Sequence, residues 1–173
     1  MILAVTGHRP DKLGGYALSA YLPVLQTAKR AITRLKPDMV LTGMALGWDQ
    51  AIAEACVSLK IPFTAVIPST AQSSRWPFES KAKYDLLLAQ AKDCIDYSKL
   101  TGNQGLNIYQ LLDGRNHCMV DNCDKLLTLY NGDKSGGTYN CIIYAQSKQR
   151  DIVNCWPMYQ KVLAGDNDAN SID

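Results

Sequence analysis

The chain has 173 residues, 47% of them apolar and 20% charged, and a net charge of +2. That length fits one folded domain, because two halves would each be short of core. The composition is ordinary for a soluble globular protein. So small a charge, with no dense Lys/Arg run, makes nucleic acid an unlikely partner.

Short apolar runs alternate with helical periodicity from start to finish. The strands predicted in chain order are 2–6, 38–42, 62–67, 94–97, 125–130 and 152–156. Between them apolar residues recur at i, i+3/i+4 and i+7. Leu18, Leu22, Leu25, Ile32 and Leu35 trace one face of the first helix, where Pro23 is tolerable if it falls in the opening turn. Ile52, Ala55, Cys56 and Leu59 trace the second, and Tyr84, Leu87, Leu88 and Ala91 the third. Ile108, Leu112 and Met119 trace the fourth, while Ile142, Ile143 and Ala145 begin a fifth.

Continuous apolar strands separated by amphipathic helices predict an α/β protein: a Rossmann-like, doubly wound, mainly parallel sheet flanked by helices. One such domain is expected over 1–164. The short, polar, acidic segment 165–173 reads as a disordered tail. Neither a signal peptide nor an apolar run of bilayer-spanning length is evident, so a cytoplasmic protein without membrane contact is expected. None of the six cysteines forms a Cys-x-x-Cys pair. His117, Cys118 and Cys123 suggest a metal site, but on one helix positions 118 and 123 point about 140° apart. Buried, reduced thiols and no metal are expected.

Ligands of open α/β sheets sit beyond the carboxyl ends of the strands, so the strand-to-helix loops at Gly7, Gly43 and Gly136 should converge. The first strand ends in Thr6-Gly7-His8-Arg9-Pro10. Glycine after a strand lets backbone N–H groups approach a phosphate that Arg9 could pair with; a tight turn with an exposed Arg explains the same residues. His8 is either a general acid or a hydrogen-bonding loop residue. The second strand runs into a loop carrying Gly43, Gly47 and Asp49. Asp49 suits a helix start or a ribose hydroxyl equally. After the third strand, Trp76 could stack on a base or simply pack.

Arg115 lies on the apolar stripe of the fourth helix, where a guanidinium is costly unless it meets an anion or reaches a crevice. The competing explanation is a structural pair with Asp121 or Asp124. After the fifth strand, Gly136-Gly137-Thr138 at a helix start form either a phosphate cradle or a flexible loop.

These loops, with Tyr84-Asp85-Leu86-Leu87 and Arg115-Asn116-His117-Cys118-Met119-Val120-Asp121, resemble in order the YpsA-like branch of the SLOG superfamily. That superfamily includes the Lonely Guy phosphoribohydrolases and the Rossmann-like core of DNA-processing protein A. The resemblance implies a nucleotide-derived ligand, expected to be held by the glycine loops together with Arg115 and Asn116; no bound cofactor is expected. A homo-oligomer is allowed for. In Lonely Guy enzymes an Arg-x-x-x-Met helix and a Gly-Gly-x-Gly-Thr-x-x-Glu-like loop hold the nucleotide and cleave its N-glycosidic bond. Arg115 and Met119 match the first pattern and Gly137-Thr138 the second, but Asn140 stands where the glutamate is expected. An amide cannot act as general base. The chain is therefore expected to bind a signalling nucleotide or its derivative. The alternative is a hydrolase with another carboxylate: Asp49, Glu54 or Glu79.

Overall fold

Six parallel strands form the centre of the computed structural model, which describes residues 1–166. The elements in chain order are β1 (Ile2–Gly7), α1 (Leu18–Leu35), β2 (Met39–Thr42), α2 (Trp48–Leu59), β3 (Phe63–Ile67) and α3 (Phe78–Leu88). There follow β4 (Asp93–Asp96), α4 (Ile108–Asp121), β5 (Lys125–Leu129), α5 (Gly136–Ser147), β6 (Asp151–Asn154) and α6 (Trp156–Leu163). The sheet order is β4-β3-β2-β1-β5-β6, and every neighbouring pair is parallel. The winding reverses between β1 and β5, which opens a crevice at their carboxyl ends.

Alternation along the central strands divides the core in two. Leu3 and Val5 of β1, with Leu127 and Leu129 of β5, join α1, α2, α3 and α6 in the larger cluster. Ala4 and Leu126, on the opposite face, join Met119 and Val120 of α4 and Cys141, Ile142 and Ala145 of α5 in the smaller one. Both sheet faces are thus covered, which is why the inner strands read as continuous apolar runs.

The α1 stripe differs from the expectation. Leu18 and Leu22 are exposed, and the buried face runs through Val24, Leu25, Ala28, Ala31 and Ile32. Pro23 lies beyond the opening turn, inside the helix. Its missing N–H leaves one helical bond unmade, while the Thr27 hydroxyl donates to the Pro23 carbonyl at 2.8 Å. Of the segment expected to be a tail, Gly165 and Asp166 still bond back to α6; 167–173 lie outside the described residues.

Candidate functional site

The β1–α1 loop is fixed first by packing. A Cβ on Gly7 would stand 2.6 Å from Cγ of the buried Trp48, and one on Gly47 would stand 2.6 Å from the His8 carbonyl oxygen. Both glycines therefore have a steric reason to be there, and Gly47 also has φ 92° at the start of α2. His8 continues the β1–β5 ladder by donating its backbone N–H to Leu129. Its ring lies between Tyr130 and Trp156, with Nε2 2.7 Å from Asn131 Oδ1. Burial pushes its pKa down, against the opposing effect of Asn131. Arg9 is exposed and opens a short 3-10 turn, Pro10–Lys12. Lys12 pairs with Asp133 across the crevice, and Asp133 in turn accepts from the Ser135 hydroxyl at 2.7 Å.

The β2–α2 loop brings a carboxylate to a guanidinium. Met44, fully buried, adopts a left-handed φ of 59°; Thr42 Oγ1 accepts its N–H at 3.2 Å. This tight path lets Asp49, in the first turn of α2, accept from the Ala45 N–H at 3.3 Å. Arg115 reaches the same point from α4, donating from Nη1 to the Val66 carbonyl at 3.3 Å. Gly43 makes room for both: a Cβ there would overlap the guanidinium and stand 2.9 Å from Asp49 Oδ2. Burial raises the Asp49 pKa to about 6 even though the Arg115 charge opposes the shift. Burial likewise lowers the Arg115 pKa, against the charge of Asp49. Both side chains are almost wholly enclosed, and Arg115 Nε is unpartnered among the described residues.

Beyond β5, Ser135 precedes α5 and Gly136 begins it with φ 81°. Apart from the adjoining backbone, no atom of the described residues lies within 4 Å of a Cβ built on Gly136 or Gly137. The first turn of α5, whose N–H groups have no intrahelical partner, borders a cavity through Ser135, Gly136, Gly137 and Thr138. All three loops and α4 surround this cavity of about 750 Å³, within the range of small-molecule sites.

The family model described as the YspA SLOG family matches residues 3–159. The chain belongs to that family. It is 30% identical over 134 residues to the SPbeta prophage-derived protein YoqJ of Bacillus subtilis, covering 71% of this chain and 78% of YoqJ. Over 168 residues it is 24% identical to YpsA of the same organism, covering 91% and 90% of the two chains. Among solved structures, DNA processing protein A of Streptococcus pneumoniae superposes with TM-score 0.62 at 17% identity. That match spans 95% of this chain but only 56% of that one. DNA processing protein A of Helicobacter pylori, described by its single-stranded DNA binding mode, gives 0.59 at 16% identity over 96% and 73%. The molybdenum cofactor binding protein of Rippkaea orientalis gives 0.55 at 15% over 95% and 82%. At these identities the structural likeness concerns the fold.

Within this SLOG domain the structure gathers most of the residues singled out from sequence. Gly7, His8 and Arg9 line the cavity from β1, Asp49 from α2, Arg115 and Asn116 from α4, and Gly136, Gly137 and Thr138 from α5. Gly43 stands behind Arg115, whereas Gly47 and Trp76 do not line it. Trp76 instead meets Tyr84 edge-on at 5.3 Å against the larger core. The structural partners considered for Arg115 are engaged elsewhere: Asp121 with Tyr144 and Lys148, Asp124 with the Ile2 N–H. Of the three alternative carboxylates only Asp49 lines the cavity. Glu54 is held by Lys83 and Tyr21, and Glu79 is exposed on α3. Strict spacing of the SLOG glycine loop puts the glutamate position on Cys141 rather than Asn140. Cys141 is buried and Asn140 lines the cavity; neither is a carboxylate. His117 stacks on Tyr144 and Cys123 is buried in the core, so the three residues weighed as metal ligands do not converge. Sequence reasoning missed Lys12, Tyr109 and Asp113, which also line the cavity. The spacing of Tyr109, Asp113 and Asn116 on one helix was the signal available for two of them.

Proposed function

We propose that the cavity binds a nucleotide or nucleotide-derived small molecule, which the protein senses or sequesters. The observation that carries this reading is one concave site lined by two sets of donors. One is the first turn of α5, the other the Arg115 guanidinium, and both line the same cavity. Helix N-termini and guanidinium groups both favour phosphate oxygens. Asp49 and Asn116 supply the acceptor and amide groups that sugar hydroxyls require. A molybdenum cofactor binding protein with the same fold supports a small-molecule role.

A net charge of +2 gives no ground for setting nucleic acid aside, since a protein of this fold is described by its single-stranded DNA binding; oligonucleotides therefore belong in the test. A cytoplasmic setting accords with six free cysteines, and among the described residues no helix is long and apolar enough to cross a membrane. The presence of Asp49 in the cavity, with its pKa raised to about 6, favours one second reading: a glycoside hydrolase in which Asp49 supplies the missing carboxylate.

The test is thermal denaturation against nucleoside mono- and diphosphates and single-stranded oligonucleotides, with light scattering to read any homo-oligomer. A mononucleotide at 100 times its Kd should stabilise the protein by about 2.7 kcal/mol. A response to oligonucleotides alone would replace the small-molecule reading.

A further inference from the structure

Resting on the nucleotide reading, we infer that α4 selects the heterocycle of the ligand, and that it selects a 2-amino-4-oxopyrimidine edge such as guanine or a pterin presents. Tyr109, Asp113 and Asn116 recur at i, i+4 and i+7 and all line the cavity. At roughly 100° per residue they fall within about 60° of arc, beside the buried stripe of Leu111, Arg115 and Met119. One face of α4 therefore offers the cavity an aromatic ring, a carboxylate and an amide in succession.

Tyr109 and Asp113 have the chemistry of base recognition and little competing use, while Asn116 stands next to them toward the sugar. Tyr109 is 81% exposed although it borders the cavity, and an aromatic ring left open there suits stacking on a planar ligand. Its turn is held by the reciprocal bonds of Asn107 and Gln110. Asp113 is half-exposed, and its one ion-pair contact among the described residues is His117 Nε2 at 3.6 Å. A carboxylate accepts and does not donate, and its two oxygens match two adjacent N–H donors. Guanine and pterins carry that pair as a ring N–H beside an amino group. Hypoxanthine lacks the amino group, and adenine turns a ring acceptor toward the carboxylate.

Charge sets the orientation. On the side of the cavity built by the β1 and β5 loops Lys12 is paired with Asp133 and Asp11 is acidic, which leaves Arg9 and the α5 N-terminus to suit the phosphate. Arg115 extends that phosphate side from the buried stripe of α4, whereas the exposed Asp113 carboxylate would repel a phosphate and attract an N–H edge.

The experiment is isothermal titration of GMP, IMP, AMP and 6-hydroxymethylpterin phosphate against the intact protein, then against Asp113→Asn, Tyr109→Ala and Tyr109→Phe. GMP should bind at least about tenfold tighter than IMP or AMP, the scale of one charge-assisted hydrogen bond, and Asp113→Asn should erase that preference. Tyr109→Ala should weaken all ligands about tenfold and Tyr109→Phe should restore them. A pterin phosphate tighter than GMP would assign the edge to a pterin. Equal affinity for GMP, IMP and AMP, or a preference that survives Asp113→Asn, overturns this inference and leaves the nucleotide reading standing. Failure of all four ligands to bind sinks both. Asp113 and Tyr109 are surface positions, so circular dichroism should show every variant folded.

Discussion

At the scale of single residues, the decisive feature is the space that Gly43 leaves for Asp49 and Arg115. Gly43→Ala must displace the guanidinium or the loop. It should cost about 1–3 kcal/mol of stability by urea denaturation and weaken ligand binding with it. Gly137→Ala meets open space, so the free protein should keep its stability within about 1 kcal/mol while anion binding falls. Equal destabilisation by the two changes would contradict this account. Arg115→Ala leaves Asp49 enclosed without its cation, which raises further a pKa already at about 6. A carboxyl whose folded pKa lies above its unfolded one loses stability as pH rises. The variant should therefore be least stable above pH 6 and recover toward wild type as the pH falls to about 4. Nucleotide affinity should drop by about 1.5–3 kcal/mol. Melting curves of both proteins from pH 4 to 8 check the first point, and a pH-independent loss would remove Asp49 from the explanation. Arg115 could be found from sequence because a charge on an apolar stripe demands a reason. Its counter-charge could not, since only the fold brings α2 to α4.

Among the elements, helices were legible in existence and less so in phase. The α1 stripe drawn through leucines failed at Leu18 and Leu22, which are exposed in the first turns of the helix, before its buried face begins at Val24. The small residues Ala28 and Ala31, which let α1 approach the sheet and α2, carry the buried face instead. Trp76 misled for a related reason: its size suited a stacking platform, but a neighbouring Tyr84 claimed its ring. In α5 the lesson is chemical. Glycoside cleavage needs a carboxylate where positive charge develops on the sugar, and neither Asn140 nor the buried Cys141 provides one. Incubation with nucleoside monophosphates should thus yield bound ligand and no free base by chromatography. Multiple-turnover release of base that disappears in Asp49→Asn would establish the hydrolase reading in its place.

For the whole molecule, parallel winding was the best-read property, because alternating apolar strands and amphipathic helices admit few other arrangements. It also gathered the loops: with every strand parallel, β1, β2 and β5 all end on the same side of the sheet, beside the reversal of winding. The two helical layers are unequal, however. The walls of the cavity contributed by α4 and α5 rest on the smaller of the two cores, whereas α1 and α2 are embedded in the larger. Fewer buried apolar contacts mean a lower free energy for local opening. Backbone amides of α4 and α5 should exchange hydrogen for deuterium faster than those of α1 and α2. A ligand that bridges α4 to the first turn of α5 would slow that exchange there and scarcely change it in the opposite layer. The half of the domain that holds the ligand would then also be the half that the ligand holds shut, so that occupancy is written into how often this layer opens.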